Sequence, residues 1–179
     1  GSLRKDSYNS LLLERARQAL PADASLEIWN GLRDLPYYDE DIDDVELPLL
    51  AVARLRDAIA QADAVLFVTP EYNGSIPGGL KNAFDWLSRM KEQPFVNKPI
   101  AIQSASQGPV GGARMQYDLR KILLYLNAMV LPKPEVFIGM AQHKFDAAGA
   151  CTDEAARKFM TDLMAAFEHW IGALRKMRS

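Results

Sequence analysis

Hydrophobic and polar positions follow two rhythms along this chain, and the switches between them mark out most of its elements. Continuous apolar runs at residues 64–68 and 99–104 have the length and β-branched content of strands buried on both faces. Elsewhere apolar residues recur at spacings of three and four, which predicts helices over residues 8–20, 48–62, 78–90, 111–127 and 153–176. Two further strands are expected at 25–29 and 129–138, and a long loop at 31–47. Strands alternating with helices imply an α/β fold, with a parallel sheet, right-handed crossovers and helices covering both faces. No shift in composition marks a boundary, so residues 1–179 are read as a single domain.

Two loops carry most of the chemical information. The segment VTPEYNGSIPGGLKNAFDW, residues 68–86, runs from the end of a buried strand through a turn rich in glycine and proline into a helix. In open α/β sheets the crevice beyond the carboxyl ends of the strands is where ligands bind. Pro70, Glu71, Tyr72, Asn73 and Gly74 form the tightest part of that turn, and Gly74 permits positive φ or close approach of a ligand. An isolated turn of this kind equally suits a plain strand-to-helix connection. The second loop is GSLRKDSYN at residues 1–9, where Ser2, Ser7 and Asn9 offer polar donors and Arg4 a guanidinium just before a helix start. Unpaired backbone N–H groups and the helix dipole favour an anion there. Ordinary capping of the first helix by Ser7 or Asn9 accounts for the same residues.

Composition narrows the function classes. Twenty-one basic against twenty-three acidic residues leave a net charge of −2, too small a field to drive binding to nucleic acid or to anionic lipid. It also argues against an electron carrier that docks through a strongly acidic surface. The lone Cys151 excludes an internal disulfide framework and any CxxC motif, which favours a cytoplasmic setting. No window approaches the roughly 20 apolar residues of a membrane helix, so no membrane insertion is expected. Five carboxylates crowd residues 39–44, but the spacing lacks the glycine and distal glutamate of an EF-hand, so a solvated loop is expected. His143 and His169 stand in no metal or triad arrangement. Neither GxGxxG nor a Walker lysine motif is present.

Three ordered segments together, GSLRKxSxN, TPEYNxSxPGGLKNAxDWLSR and QSASQGPVGGARMQYDLR, resemble the NADPH-dependent FMN reductase family of the flavodoxin-like superfamily, in particular its quinone and chromate reductase branch. The resemblance spans nearly the whole chain. It implies a three-layer sandwich around a five-stranded parallel sheet of order 2-1-3-4-5, with FMN as cofactor and NADPH or NADH as electron donor. It places Ser2, Leu3, Arg4, Ser7 and Asn9 around the FMN phosphate, and Pro70, Glu71, Tyr72, Asn73 and Gly74 along the flavin ring. Ser104, Ser106, Gln107, Gly108 and Gly111 form a third wall. No side chain is implied as a catalytic group, because the flavin carries the chemistry. Hydride from NAD(P)H reaches the flavin, and a small-molecule acceptor such as a quinone or chromate then takes two electrons at the same face, a ping-pong scheme. A flavodoxin-type electron-transfer module acting with a protein partner is the alternative.

The same resemblance implies a homodimer or homotetramer, with Arg114, Tyr117 and Glu135 in a polar network between subunits. It also implies a first strand ahead of the first loop, between the second and third strands. A further 6 to 12 mostly apolar upstream residues are therefore expected, an ordinary strand length plus a start. Trp86, Leu87 and Met90 are expected in the core, and Lys81 with Asp85 is expected to form a surface ion pair.

Overall fold

A computed structural model describes residues 2–44 and 47–178 of the chain. Gly1, which opens the first loop, and Val45 and Glu46 in the long loop lie outside the described residues, as does Ser179. Five α-helices occur where the apolar spacing places them: α1 (Tyr8–Gln18), α2 (Leu50–Gln61), α3 (Gly78–Ser88), α4 (Ala113–Tyr125) and α5 (Glu154–Arg178). Four strands, β1 (Val65–Val68), β2 (Pro99–Ala105), β3 (Met129–Val130) and β4 (Val136–Ile138), form one parallel sheet. β2 is central: it pairs with β1 on one edge, and with β3 and then β4 on the other.

Period-2 alternation divides the core into two. Val65, Phe67, Ile100 and Ile102 face α2, α3 and α4, together with Leu55, Phe84, Trp86, Leu87 and Leu119. Leu66, Val68, Ala101 and Ala105 face the opposite layer, where Leu12 of α1 and Leu163 and Phe167 of α5 cover them. Every residue of β2 is buried, as expected of a strand covered on both sides.

Three expectations need correction. Residues 25–29 form no strand; they are irregular, mostly exposed and in no ladder of the sheet. A strand exists through its partner, and β1 is hydrogen-bonded on its β2 side alone. Among the described residues the sheet has four strands, and the five-stranded order 2-1-3-4-5 is not reproduced. The apolar region 129–138 is not one strand either. Pro132 and Pro134 supply no N–H to a ladder, and the region splits into β3 and β4, both paired with β2.

The third concerns one residue of the acidic run: Asp39, Glu40, Asp41 and Asp44 are exposed, as expected of a solvated loop, and Asp43 is the exception. Asp43 is not solvated: its carboxylate is 2% exposed, accepts a hydrogen bond from the Tyr38 hydroxyl at 3.2 Å and pairs with Arg89 at 3.3 Å. Burial raises the Tyr38 pKa, and the hydrogen bond to Asp43 raises that of Arg89. Upstream, Asn82 accepts from the Tyr38 N–H at 2.7 Å, while Asn82 and Trp86 both donate to the Pro36 carbonyl. The segment 36–43 is thereby strapped lengthwise onto α3.

Candidate cofactor site

Three loops leave the sheet at the same end. β1 and β2 run parallel with Val68 opposite Gln103, so the turn after β1 and the loop after β2 start side by side. The first loop is brought to them by Asn9, 4% exposed at the start of α1. Its amide donates to the Ala105 carbonyl at 3.0 Å and accepts from the Ala105 N–H at 3.0 Å, a two-bond bridge across 96 positions of sequence. All three segments therefore meet at the carboxyl end of a parallel sheet.

In the first loop, the Ser2 hydroxyl accepts from the Arg4 N–H at 3.2 Å, and Ser7 caps α1 by accepting from the Asn9 N–H at 3.2 Å. Arg4 is exposed; its guanidinium donates to the Asp6 carbonyl at 3.0 Å and lies 5.9 Å from the Tyr8 ring centroid. The Leu3 carbonyl accepts from Arg33 at 2.6 Å. Asn9, expected to face a phosphate, spends its carbonyl oxygen and one amide hydrogen on Ala105, so its visible task is to hold the loop in place.

The turn after β1 is a two-residue hairpin. Tyr72 and Ser75 exchange both backbone hydrogen bonds, at 3.0 and 3.1 Å, around Asn73 (φ 51°) and Gly74 (φ 80°). Two successive positive φ values define a type I′ turn, which selects Asn-Gly. Pro70 is buried behind it, and Tyr72 is 48% exposed. Both limbs of the hairpin are fixed to α4. The Glu71 carboxylate, 9% exposed, pairs with Arg114 at 2.8 Å and accepts the Met115 N–H at 3.2 Å. Gly112 precedes α4 and has no side chain to cap it, so Glu71 satisfies that helix end from a distance. Asp118 is hydrogen-bonded by Ser75, which together with the stronger effect of Lys121 lowers its pKa.

The third wall divides into packing and lining residues. Ser104 is fully buried, donates to the Gly111 carbonyl at 2.6 Å and accepts from Gln116 at 2.8 Å. Gln116 also donates to the Val136 carbonyl. Gly111 has φ 61°, and a Cβ there would lie 2.6 Å from the Phe137 carbonyl carbon. Ser104 and Gly111 thus hold the loop against β4. Ser106, Gln107 and Gly108 are the outward members, with the Ser106 hydroxyl donating to the Gly108 carbonyl at 3.1 Å.

A flavin mononucleotide suits these residues. Its dianionic tail matches Arg4, the two serine hydroxyls and the start of α1. Open space lies beside Gly74, Gly78 and Gly79, where an added Cβ would meet nothing within 4 Å, which leaves room for a planar ring against the backbone. At the head of the turn the Thr69 hydroxyl is buried and finds no partner among the described residues, and a buried polar atom of that kind ordinarily has one. A polar cleft of about 440 Å³, bordered by Arg56, Glu92 and Lys98, lies by the start of β2, at the opposite end of the sheet.

Thr69, Arg33, Gln116 and the Ser75–Asp118 pair were not singled out from the sequence as parts of this site. Arg33, Gln116 and the Ser75–Asp118 pair act through partners far along the chain, Thr69 has none among the described residues, and only the Asn73–Gly74 pair of the hairpin carries a local signal. Arg114, Tyr117 and Glu135, expected between subunits, have partners within the chain. Arg114 meets Glu71; Glu135 pairs with Lys133 at 2.5 Å and is hydrogen-bonded by Tyr117. Trp86, Leu87 and Met90 are core residues, and Lys81 pairs with Asp85, as expected.

Sheet, loops and donor set define a flavodoxin-like α/β oxidoreductase domain built for FMN. More particularly, the chain belongs to the NADPH-dependent FMN reductase family, which its residues 1–143 match. It is 44% identical over 172 residues to a quinone reductase of Escherichia coli, covering 96% of this chain and 92% of that one. It is 47% identical over 175 residues to an NAD(P)H-dependent FMN reductase of Pseudomonas aeruginosa, covering 98% and 94%. Among solved structures it superposes with a TM-score of 0.84 on a flavoenzyme NAD(P)H:(acceptor) oxidoreductase of Paracoccus denitrificans, 38% identical, covering 97% and 94%. No described helix is long and apolar enough to cross a membrane, and no described group of acidic, histidine or cysteine residues could hold a metal.

Proposed function

We propose that this chain is an FMN-dependent NAD(P)H oxidoreductase that reduces quinones and, through the same open site, other small acceptors such as chromate. The observation that carries the reading is the meeting of the cationic first loop with the type I′ hairpin at one end of the sheet, a grip for the two ends of one mononucleotide. Bound FMN supplies two-electron redox chemistry, so no nucleophile or general base of the chain is required. Arg4, Ser2 and Ser7 hold the phosphate. The 70–74 hairpin and the outer part of the 106–108 loop support the ring and leave one face to the nicotinamide donor and then, in ping-pong order, to the acceptor. Tyr72 stands exposed where an aromatic acceptor can stack. The enzyme works in the cytoplasm as a homodimer or homotetramer.

The test is oxidation of NADPH or NADH by the FMN-reconstituted protein with a soluble quinone and no partner protein. Sustained turnover is expected. Negligible turnover with flavin still bound refutes the reading in favour of an electron-transfer module.

A further inference from the structure

Besides its own Arg4 and Lys5, the first loop holds a cation from elsewhere in the sequence. Arg33 lies in a 3-10 turn, Gly31–Asp34, that packs on α2 and α3. Its guanidinium reaches back 30 positions to donate to the Leu3 carbonyl at 2.6 Å. That carbonyl shares its peptide group with the Arg4 N–H, which is held by Ser2. A cradle for a phosphate near −2 works by presenting N–H groups and cations, and because C=O and N–H of a trans peptide point opposite ways, holding the Leu3 carbonyl fixes the direction of the Arg4 N–H. Arg33 covers that oxygen and leaves its positive charge at the loop.

The geometry points to Arg33 as a positioning residue for the phosphate end of FMN: it fixes the Leu3–Arg4 peptide and adds a positive charge to the loop. This rests on the reading of the first loop as the FMN phosphate site. The turn that carries Arg33 is itself fixed by packing. Leu35 is buried behind it, Leu32 packs on the α2–α3 core, and a Cβ on Gly31 would lie 2.8 Å from the Trp29 ring. The guanidinium is thus delivered from the body of the fold to the loop.

The experiment measures binding of FMN and of riboflavin, which lacks the phosphate, to the apoprotein by quenching of flavin fluorescence, for wild type, Arg33→Ala, Arg33→Lys and Arg4→Ala. Arg33→Ala should weaken FMN roughly five- to tenfold at low salt, the Coulomb effect of one cation on a near-dianion several ångströms away in water. Riboflavin binding should be unchanged, the FMN loss should shrink at high ionic strength, and Arg33→Lys should restore part of it. Equal losses for both flavins, or a loss indifferent to salt, would reduce Arg33 to a fold contact and overturn the inference. So would unchanged FMN binding in Arg33→Ala while Arg4→Ala loses affinity. Wild type that binds FMN no better than riboflavin, with Arg4→Ala also silent, overturns the phosphate-loop reading and this inference with it. Melting of each apoprotein separates loss of the site from loss of the fold.

Discussion

Replacing Asn9 by alanine isolates the bridge that brings the first loop to the sheet. The substitution removes two hydrogen bonds, both to the backbone of Ala105, from a side chain that is 4% exposed. Alanine leaves the Ala105 N–H and carbonyl buried at the end of β2 without those partners, at roughly 1–3 kcal/mol each and so about 2–6 kcal/mol together. For a domain of this size each kcal/mol lowers Tm by roughly 2–4 °C, so a fall of about 4–24 °C is expected in apoprotein melts followed by circular dichroism. Asn9→Asp is the sharper variant. It keeps the size and the acceptor for the Ala105 N–H, but sets an oxygen against the Ala105 carbonyl, so it should melt early as well. Ser10→Ala, one residue along and exposed, should leave Tm unchanged. A Tm for Asn9→Ala within about 2 °C of wild type refutes the argument, since the net worth of even one ordinary buried hydrogen bond would be missing.

Three further outcomes can be checked. Glu71→Ala should cost about 1–2 kcal/mol in urea unfolding, most of it from the lost cap on α4; Arg114→Ala, at an exposed ion-pair partner, should cost under about 1 kcal/mol. Equal costs would reverse that ranking. Gly111→Ala should prevent accumulation of folded protein, because the new Cβ would press on the backbone of Phe137 and Ile138 at 2.6–2.7 Å; a normally melting variant would contradict the packing role. The Lys133 contact, with burial opposing and Tyr117 assisting, holds the Glu135 pKa below the ordinary 4.5. A depressed folded value contributes stability that is complete above 4.5 and fades as pH falls through the folded pKa, so Glu135→Gln should flatten the acid limb of the stability curve and leave its slope at neutral pH alone.

Local periodicity made the five helices and the central strands legible, because each buries a stripe or a face whose spacing is written in consecutive residues. What stayed hidden depends on partners. Residues 25–29 have strand-like composition, yet without a neighbour to bond they form no strand. Pro132 and Pro134 are plain in the sequence, but the ladder they interrupt exists only where β2 lies alongside. Within the site, Asn73 and Gly74 announced their turn, since few residues other than Asn and Gly take two positive φ values in succession. Asn9 and Ser104 looked like ligand donors by type. Their acceptors, Ala105 and Gly111, are backbone carbonyls, which carry no signature in the sequence. Asp43 was misjudged for a related reason: Arg89, 46 positions on, turns a carboxylate in an acidic run into a buried anchor.

The double attachment of the hairpin to α4 has a mechanical corollary. Glu71 grips the first turn of that helix and Ser75 the next, so hairpin and helix behave as a bracket bolted at two points to a shaft. At the far end of the shaft Leu124 and Tyr125 stand out into solvent, 75% and 84% exposed. Torque applied there, by whatever leans on those two side chains, reaches the Asn73–Gly74 turn through those two fastenings.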